Sequence, residues 1–315
     1  MNDQEIIKTF LDMGIQLTND ALAIIRKDPD FFISEIKKLK IRPFFLTRDI
    51  VNEIIAKNQK KELNFQVVKE IVLEKKALRI DDYVNFYLKK YEKIKDIFTS
   101  VGFSGISINK ITENTREFST IGLIKEKGNA SIVLEDPTGE IEIFFEGIMK
   151  QKLEDFERDD VVGVYCERQR EKFITRKILH PDIPLNREIK KTNEEIILKV
   201  NLNQENPLSP RRANPTYISY GNITFLILPK KFFDFMRIKI YSESLLKLLK
   251  RRFLLLTTND YAISNPEDFI LDNLPDFIIT DIEPSLAKNY KGTTIISVFD
   301  KEYEVNLHTR EVKEL

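Results

Sequence analysis

The stretch STIGLIKEKGNASIVLEDPTGEIEIFFEG, residues 119–147, alternates apolar and polar residues with a period of two, the pattern of half-buried β-strands. Two turn signals divide it. Lys127-Gly128-Asn129 is the first. In the second, Asp136-Pro137-Thr138-Gly139, proline presets φ for the second turn position and glycine can adopt a positive φ. The stretch therefore predicts three strands joined by two turns.

The next stretch, DDVVGVYCERQREKFITRKIL at 159–179, adds two more strands with the same alternation. Five short strands within about 70 residues, in this order, are typical of a small closed barrel of the oligonucleotide/oligosaccharide-binding (OB) type. We therefore predict an OB-fold β-barrel over residues 106–185.

Residues 1–100 show helical periodicity instead. Thr18 is a candidate N-cap, Asp28-Pro29 separates two helices, and residues 84–98 place apolar side chains on one helical face. The segment TSVGFSGISIN (99–109) contains glycine and serine and favours a linker. These patterns predict a helical N-terminal domain that ends near residue 100.

The last third of the chain is mixed. EEIILKVNL (194–202) and NITFLILP (222–229) are near-continuous apolar runs, which are typical of strands buried on both faces. SESLLKLLKRRFL (242–254) has the pattern of a helix capped by Ser242. Together with the preceding regions, these elements predict an α+β multidomain protein.

The composition excludes several classes of protein. The 315 residues include 50 basic and 50 acidic ones, which argues against a protein that coats nucleic acid along its whole surface. A single cysteine, Cys166, and two histidines exclude an intrachain disulfide and a zinc site built on several thiolates. No signal-peptide pattern and no run of about 18 apolar residues occurs, so we expect a cytoplasmic protein without a membrane span.

Several segments resemble a known family, and they occur in its order. HPDIPLNREIKKTNEEIILKVNL (180–202), LLKRR (248–252), LPDFIIT (274–280) and NYKGTTIIS (289–297) follow the predicted barrel. This order resembles the small subunit of the archaeal family D DNA polymerase, which is related to the B subunits of eukaryotic replicative polymerases. The resemblance implies a helical N-terminal region, an OB barrel and a calcineurin-like phosphoesterase domain that acts in archaeal members as a 3′–5′ exonuclease.

The chain departs from this family at the positions that bind its metals. Asn201 and Asn203 replace an Asp-x-His pair, Pro229 replaces a histidine of a Tyr-His-Gly motif, and Ile282 and Pro284 replace a Gly-His-x-His pair. The family's Gly-Asp and Gly-Asn-His-Asp motifs are absent. An asparagine amide does not supply the anionic oxygen that a two-metal site needs. We therefore expect a degenerate, shortened phosphoesterase-type α/β domain over 186–315, without catalytic residues, metal or cofactor.

Two acidic residues keep an alternative open. Asp281 and Glu283 close the apolar run of LPDFIITDIEP and have the spacing of two ligands on one side of a strand end. A two-metal site requires several further ligands around both ions, and the sequence offers no candidates for them. A residual metal-dependent 3′–5′ exonuclease that uses these acids is the alternative to an inactivated domain.

A basic cluster follows the middle of the barrel. Between residues 168 and 191 the chain has eight basic and three acidic residues. Basic residues beside exposed aromatics such as Phe144 or Phe173 could hold single-stranded nucleic acid by phosphate pairing and base stacking. The alternative is a solvated strand face. The candidate nucleic-acid-binding residues are Arg168, Arg170, Lys172, Arg176 and Lys177.

Two apolar segments are candidates for protein contacts. The segment KKFFDFMRIKI contains four apolar residues that either fill space in the core or face a partner: Phe232, Phe233, Phe235 and Met236. The segment that starts at Lys38 approximates a sliding-clamp-binding box, whose apolar residues would be Ile41, Phe44 and Phe45. We expect the two phenylalanines to pack within the helical domain, and a clamp contact is the alternative.

These inferences converge on a non-catalytic accessory subunit of a DNA polymerase or replication complex that acts by protein–protein docking. The expected partner is a catalytic large subunit in a hetero-oligomer, with the sliding clamp and single-stranded DNA as further candidates. A stand-alone OB-fold single-strand-binding protein is the alternative outside this class.

Overall fold

The computed structural model describes residues 1–39, 42–58, 63–72, 79–203, 207–255 and 266–315, with the side chains of 56–58 excepted. The protein is a mixed α/β protein with several sheets and eight α-helices in these ranges. It consists of two compact units, an N-terminal unit (Met1–Asn64) and a C-terminal unit (Phe65–Leu315). Within the described ranges, no helix combines the length and the apolar character that crossing a membrane requires.

The N-terminal unit is helical, as predicted. Its helices are α1 (Asp3–Asp12), α2 (Asn19–Ile25), α3 (Pro29–Lys38) and α4 (Arg48–Asn58), and its two short strands are β1 (Gln16–Leu17) and β2 (Phe45–Leu46). Strands β1 and β2 pair in parallel. Thr18 caps α2 by accepting a hydrogen bond from Ala21 N at 3.3 Å, and Asp28 caps α3 by accepting one from Phe31 N at 3.2 Å.

The C-terminal unit contains the remaining elements. Its helices are α5 (Ile80–Ser100), α6 (Ile148–Lys152), α7 (Lys230–Phe235) and α8 (Leu245–Arg251). Its strands are β3 (Gln66–Glu70), β4 (Glu117–Lys127), β5 (Ser131–Asp136), β6 (Gly139–Phe144), β7 (Val161–Gln169), β8 (Lys172–Leu179), β9 (Ile197–Val200), β10 (Thr216–Tyr220), β11 (Ile223–Ile227), β12 (Phe277–Thr280), β13 (Leu286–Tyr290), β14 (Thr293–Ser297), β15 (Tyr303–Asn306) and β16 (Val312–Glu314).

The five strands predicted between residues 119 and 179 form a closed barrel in the order β4-β5-β6-β8-β7. A parallel pairing of β6 with β8 closes it, and the other neighbours are antiparallel. The second predicted turn forms because Asp136 Oδ1 accepts hydrogen bonds from the backbone N–H groups of Thr138 and Gly139, at 2.7 and 3.1 Å. Apolar side chains fill the barrel, among them Ile124, Leu134, Ile143, Val164 and Cys166.

Helix α5 packs in the C-terminal unit, although the predicted domain boundary near residue 100 placed it with the N-terminal helices. Tyr91 donates a hydrogen bond to Ile121 O of the barrel at 3.2 Å, and Lys90 Nζ donates to Asp159 O at 2.7 Å. The predicted linker is also held to the barrel, since Ile106 N donates to Ser119 O at 2.8 Å. A Cβ atom at Gly105 would approach Thr120 Cα to 2.6 Å, so this close approach requires glycine.

Two sheets make up the rest of the C-terminal unit. The six-stranded sheet has the order β13-β14-β12-β11-β10-β3, and β11, β12 and β14 run parallel. The three-stranded sheet has the order β16-β15-β9. Strand β11 is buried as predicted, whereas β9 alternates between exposed and buried residues. The predicted double burial of β9 was wrong because one face of its small antiparallel sheet remains open to solvent.

Helix α8 begins later than the sequence predicted. Ser242 opens a short 3₁₀ turn (Ser242–Ser244), and the α-helix starts at Leu245. The hydroxyl of Ser242 is buried and has no hydrogen-bond partner among the described residues, so this residue does not cap α8. Strands β3, β10, β13 and β16 were not predicted from the sequence.

Candidate functional site

The parallel strands β11 and β12 end at one edge of the six-stranded sheet, and the residues that follow them include positions singled out by the sequence resemblance. Pro229 and Asp281 follow these strands. Asp281 Oδ1 accepts a hydrogen bond from Lys230 N, the first residue of α7, at 2.6 Å. Burial raises the pKa of Asp281, and this hydrogen bond opposes the shift. The Asp281 carboxylate thus binds the backbone at the start of α7.

Glu283 lies beside Asp281 and also faces Lys230. The distance from Lys230 Nζ to Glu283 Oε1 is 3.9 Å, and both side chains are more than one-third exposed, so the ion pair contributes little to stability. Ile282, between the two acids, is fully buried. In the ranges that the structure covers, no group of three or more His, Cys, Asp or Glu residues could hold a metal ion.

Two further positions singled out by the resemblance belong to the other sheet. Asn201 and Asn203 follow β9, which belongs to the three-stranded sheet. Asn201 Oδ1 accepts from Asn203 N at 3.0 Å, and Asn203 Oδ1 accepts from Arg211 Nη2 at 2.8 Å. The amides therefore shape a local turn and bind an arginine, while Pro229, Ile282 and Pro284 share the edge of the larger sheet without offering a ligand.

The candidate nucleic-acid residues lie on the β7–β8 hairpin of the barrel. Arg168 is held in place, because its guanidinium donates to Arg170 O at 3.0 Å and to Glu113 O. Arg176 Nε donates to Glu167 Oε2 at 2.7 Å, which neutralises its charge locally. Lys177 is exposed on β8. Of the five residues, Arg176 is ion-paired and Lys177 is exposed. The other three, Arg168, Arg170 and Lys172, form a group near the end of the hairpin.

That group combines cations with aromatic rings. Lys172 Nζ lies 4.5 Å from the centre of the Phe144 ring, and the Arg168 guanidinium lies 5.6 Å from that of Phe173. Both rings are half-buried, and Arg170 at the turn is exposed. Cations beside aromatic faces are the chemistry that holds phosphates and stacks bases in single-strand binding.

The apolar segment on α7 lies mostly in the core. Phe232, Phe233 and Met236 are buried, and the Phe232 ring packs edge-to-face on that of Phe233 with centroids 4.9 Å apart. Phe235 is 36% exposed. The three buried side chains fill the space beside the sheet, and Phe235 alone of these four residues reaches the surface.

The candidate clamp-binding segment presents its aromatic residues to solvent. Phe44 is 64% and Phe45 52% exposed, and the two rings contact each other edge-to-face at 5.0 Å. Leu46 next to them is buried instead. The expectation that both phenylalanines pack within the helical domain was therefore wrong. Ile41 lies outside the described residues.

The two histidines and the single cysteine have different environments. His180 is partly buried and stacks on Phe156 with ring centroids 4.1 Å apart. Burial, with help from the charge of Arg251, lowers its pKa to about 4. His308 is exposed, and its Nδ1 lies 2.7 Å from Thr192 O. Cys166 is buried, and burial raises its pKa to about 12.

Two buried ion pairs were not predicted from the sequence. Asp276 is fully buried and pairs with Arg187, with 2.9 Å between Oδ1 and Nη2. Asp160 pairs with Arg251 at 3.1 Å, and both side chains are almost completely buried. Nothing in the local sequence separates these charged residues from the many exposed ones.

No family model matches the chain, and no curated protein shows significant similarity to it. The resemblance to the polymerase small subunit accordingly rests on the segments quoted above.

Proposed function

We propose that the protein is a non-catalytic accessory subunit of a DNA polymerase or replication complex that docks onto a catalytic large subunit. One observation carries this proposal. At the edge where β11 and β12 end, family metal positions hold Pro229, Ile282 and Pro284, and the nearby Asp281 carboxylate accepts a backbone N–H. A phosphoesterase-type domain with this edge would lack the anionic ligands that the reaction needs.

The strand order supports the proposed domain types, an OB fold followed by a phosphoesterase-type domain. A five-stranded barrel closed by a parallel pairing of its third and fifth strands has the strand order expected of an OB fold. A following sheet with three parallel strands and a second small sheet suits a shortened calcineurin-like phosphoesterase-type domain. Fold alone does not assign a function, so the docking role rests on the altered edge and on exposed apolar surface.

Exposed apolar residues supply surfaces for docking. On α5, Ile80, Val84 and Leu88 follow one another at four-residue intervals and are 83%, 51% and 38% exposed. The Phe44–Phe45 pair forms a second exposed apolar surface in the N-terminal unit. Contiguous apolar surface of this kind marks protein-binding sites in soluble proteins.

Co-purification tests the proposal. The tagged protein is recovered from its native cell at moderate salt with nuclease present, and its partners are identified by mass spectrometry. We expect stoichiometric recovery of a polymerase large subunit. The double variant Ile80→Glu/Val84→Glu should lose it, whereas the control Leu185→Glu/Ile189→Glu, which charges two exposed apolar residues elsewhere, should retain it.

Two results would contradict this function. One is the absence of any polymerase subunit from the recovered material. The other is a manganese-stimulated 3′–5′ exonuclease activity that disappears in Asp281→Ala, which would restore the alternative of a residual phosphoesterase.

Single-stranded DNA binding is a second candidate function. The observation that favours it is the position of Lys172 over Phe144 and of Arg168 near Phe173 at the end of the β7–β8 hairpin. In an accessory subunit this surface would guide a DNA strand, and in a stand-alone protein it would be the main activity.

A further inference from the structure

The C-terminal unit contains a cavity far from the altered edge of the sheet. Its volume is about 710 Å³, within the range of small-molecule sites. Thr224, near the start of β11, and Leu274, just before β12, both line it. The cavity therefore lies where the parallel strands begin, and Pro229 and Asp281 lie where they end.

Arg252 lines this cavity and is only 5% exposed. Its guanidinium donates to two backbone carbonyls, Asp182 O at 3.4 Å and Asp272 O at 3.1 Å. Its Nε is buried without a hydrogen-bond partner in the ranges that the structure covers. Arg252 also adopts a left-handed backbone conformation, with φ of 57° and ψ of 30°, which is common for glycine and unfavourable for other residues.

Two carboxylates act on the charge of this guanidinium: Asp272, which has the larger effect and is exposed to solvent, and Asp182, which has other partners. Asp182 accepts hydrogen bonds from Tyr290 Oη at 3.0 Å and Lys291 Nζ at 2.6 Å. Asp276 pairs with Arg187. No ion pair joins Arg252 to a carboxylate among the residues described. Burying a guanidinium without an ion-paired carboxylate is unfavourable, so an anion in the cavity would be stabilised by Arg252.

Further cations line the same cavity. The side chain of Arg187 is 13% exposed, and its charge acts on Arg252. Burial lowers the pKa of Arg252 to about 10, so this residue stays protonated at neutral pH. Lys190 also lines the cavity and forms no ion pair with any described residue.

The acidic residues that line the cavity lie nearer its opening than the two arginines do. Asp268 pairs with Lys69 at 2.6 Å, and Glu188, Glu267 and Asp272 are exposed. The least exposed charged side chains in the lining are therefore the two arginines, Arg187 and Arg252. Tyr217 and Ile270 add apolar wall beside them.

We propose that this cavity binds a phosphate monoester, held by Arg252 and Arg187 with Lys190 as an additional cation. Arginine guanidinium groups bind phosphate oxygens in a two-pronged geometry. The charge of Arg187 is offset by Asp276, so Arg252 and Lys190 supply the charge that a phosphate would meet. The same group occurs on a free nucleotide and on the phosphorylated end of a nucleic-acid strand. Tyr217 and the apolar wall provide a surface for the body of either molecule.

Titration calorimetry of the full chain at constant ionic strength tests this site. The probes are inorganic phosphate, dAMP, deoxyadenosine, and a trinucleotide with and without a 5′-phosphate. We expect saturable binding of the phosphate-bearing probes and no binding of deoxyadenosine or of the unphosphorylated trinucleotide. Tighter binding of dAMP would identify a free nucleotide as the ligand, and tighter binding of the phosphorylated trinucleotide would identify a strand end.

Variants assign the binding to these residues. Lys190→Glu should weaken dAMP binding about tenfold, whereas Lys191→Glu, the same charge reversal at an exposed neighbour outside the cavity lining, should change it less than about twofold. Arg252→Lys, which keeps the charge but removes the planar fork, should also weaken binding. The Lys190 pair keeps the test valid if the Arg252 variant fails to fold. Absence of saturable binding by every phosphate-bearing probe, or equal effects of Lys190→Glu and Lys191→Glu, would overturn the proposal.

Discussion

The buried carboxylate of Asp276 connects three segments of the C-terminal unit. It accepts hydrogen bonds from Arg187 Nη2 at 2.9 Å and from Thr224 N at 2.8 Å. Its backbone carbonyl accepts another from Arg310 Nη2 at 2.7 Å, and the Arg310 guanidinium stacks over the Phe277 ring at 3.9 Å. The segment before β9, the start of β11 and the C-terminal tail thus meet at one residue.

Removing this charge should destabilise the protein strongly. Asp276→Asn leaves Arg187 buried without its counter-ion, and breaking a buried pair costs about 3 kcal/mol or more of unfolding free energy. Urea unfolding followed by circular dichroism measures the change. The same substitution at the exposed Asp300 should alter stability by less than about 0.5 kcal/mol. Equal effects of the two variants would show that the Arg187–Asp276 pair is not important for stability.

His180 gives the protein a specific sensitivity to acid. Burial lowers its pKa to about 4, below the value near 6.5 of an unfolded histidine. The unfolded chain therefore binds a proton on this histidine between pH 6.5 and pH 4 that the folded chain does not bind. Its contribution is fully present above pH 6.5 and is lost as the pH falls towards 4.

We expect this histidine to cost about 2 kcal/mol of unfolding free energy between pH 7 and pH 4.5. His180→Gln should lower stability at pH 7 because the stacking on Phe156 is removed, but its stability should fall less steeply with acid than that of the wild type. Unfolding curves at several pH values give the comparison. His308→Gln, at the exposed histidine, is the control, and a His180 variant with the wild-type pH slope would refute this assignment.

At the scale of elements, the β7–β8 hairpin is the part of the barrel that presents cations and aromatic rings together. Lys172 reaches Phe144 of β6 because β6 and β8 are neighbours at the parallel closure of the barrel. The strand pairing, rather than the spacing of these residues along the chain, brings the two side chains within 4.5 Å of each other.

If this hairpin binds single-stranded DNA, reversing its charges should weaken binding at least tenfold and reduce the salt dependence. Arg170→Glu/Lys172→Glu removes two candidate cation–phosphate pairs, and removing each pair should lower the slope of log affinity against log salt by about 0.7. Fluorescence anisotropy with a labelled oligonucleotide over a salt series measures both quantities. Lys199→Glu/Lys288→Glu, two exposed strand residues elsewhere, should leave both unchanged.

At the scale of the whole molecule, α5 belongs to the C-terminal unit by its packing. Its buried residues Ile94 and Phe98 share one apolar core with Ile121, Leu123 and Val161 of the barrel. The same core continues into α7, α8 and the six-stranded sheet. Helix, barrel and sheet are thus expected to unfold together, since one core joins them.

Two fragments test this organisation. Residues 65–315 should unfold cooperatively with a midpoint close to that of the same region in the full chain, because they form a compact unit by themselves. Residues 106–315, which begin at the predicted barrel boundary, lack α5 and β3 and should aggregate or unfold without cooperativity. Cooperative unfolding of the shorter fragment at the same midpoint would instead support the predicted domain boundary near residue 100.

The sequence by itself determined many of the local elements and the chemical character of individual side chains. The five barrel strands and their turns were predictable because period-two alternation and the Asp-Pro-Thr-Gly turn act over a few residues. Helix α5 was predictable from its apolar face. That the side chains of Asn201, Asn203 and Pro229 supply no anionic metal ligand follows from residue chemistry alone.

Only the tertiary structure decided which residues are buried and which are neighbours. It placed α5 against the barrel, exposed Phe44 and Phe45, and buried Phe232 and Phe233. It also brought Arg187 and Arg252, distant in the sequence, to line one cavity. The physical reason is that burial and charge pairing depend on side chains from remote segments, so identical residues have different environments that no local pattern records.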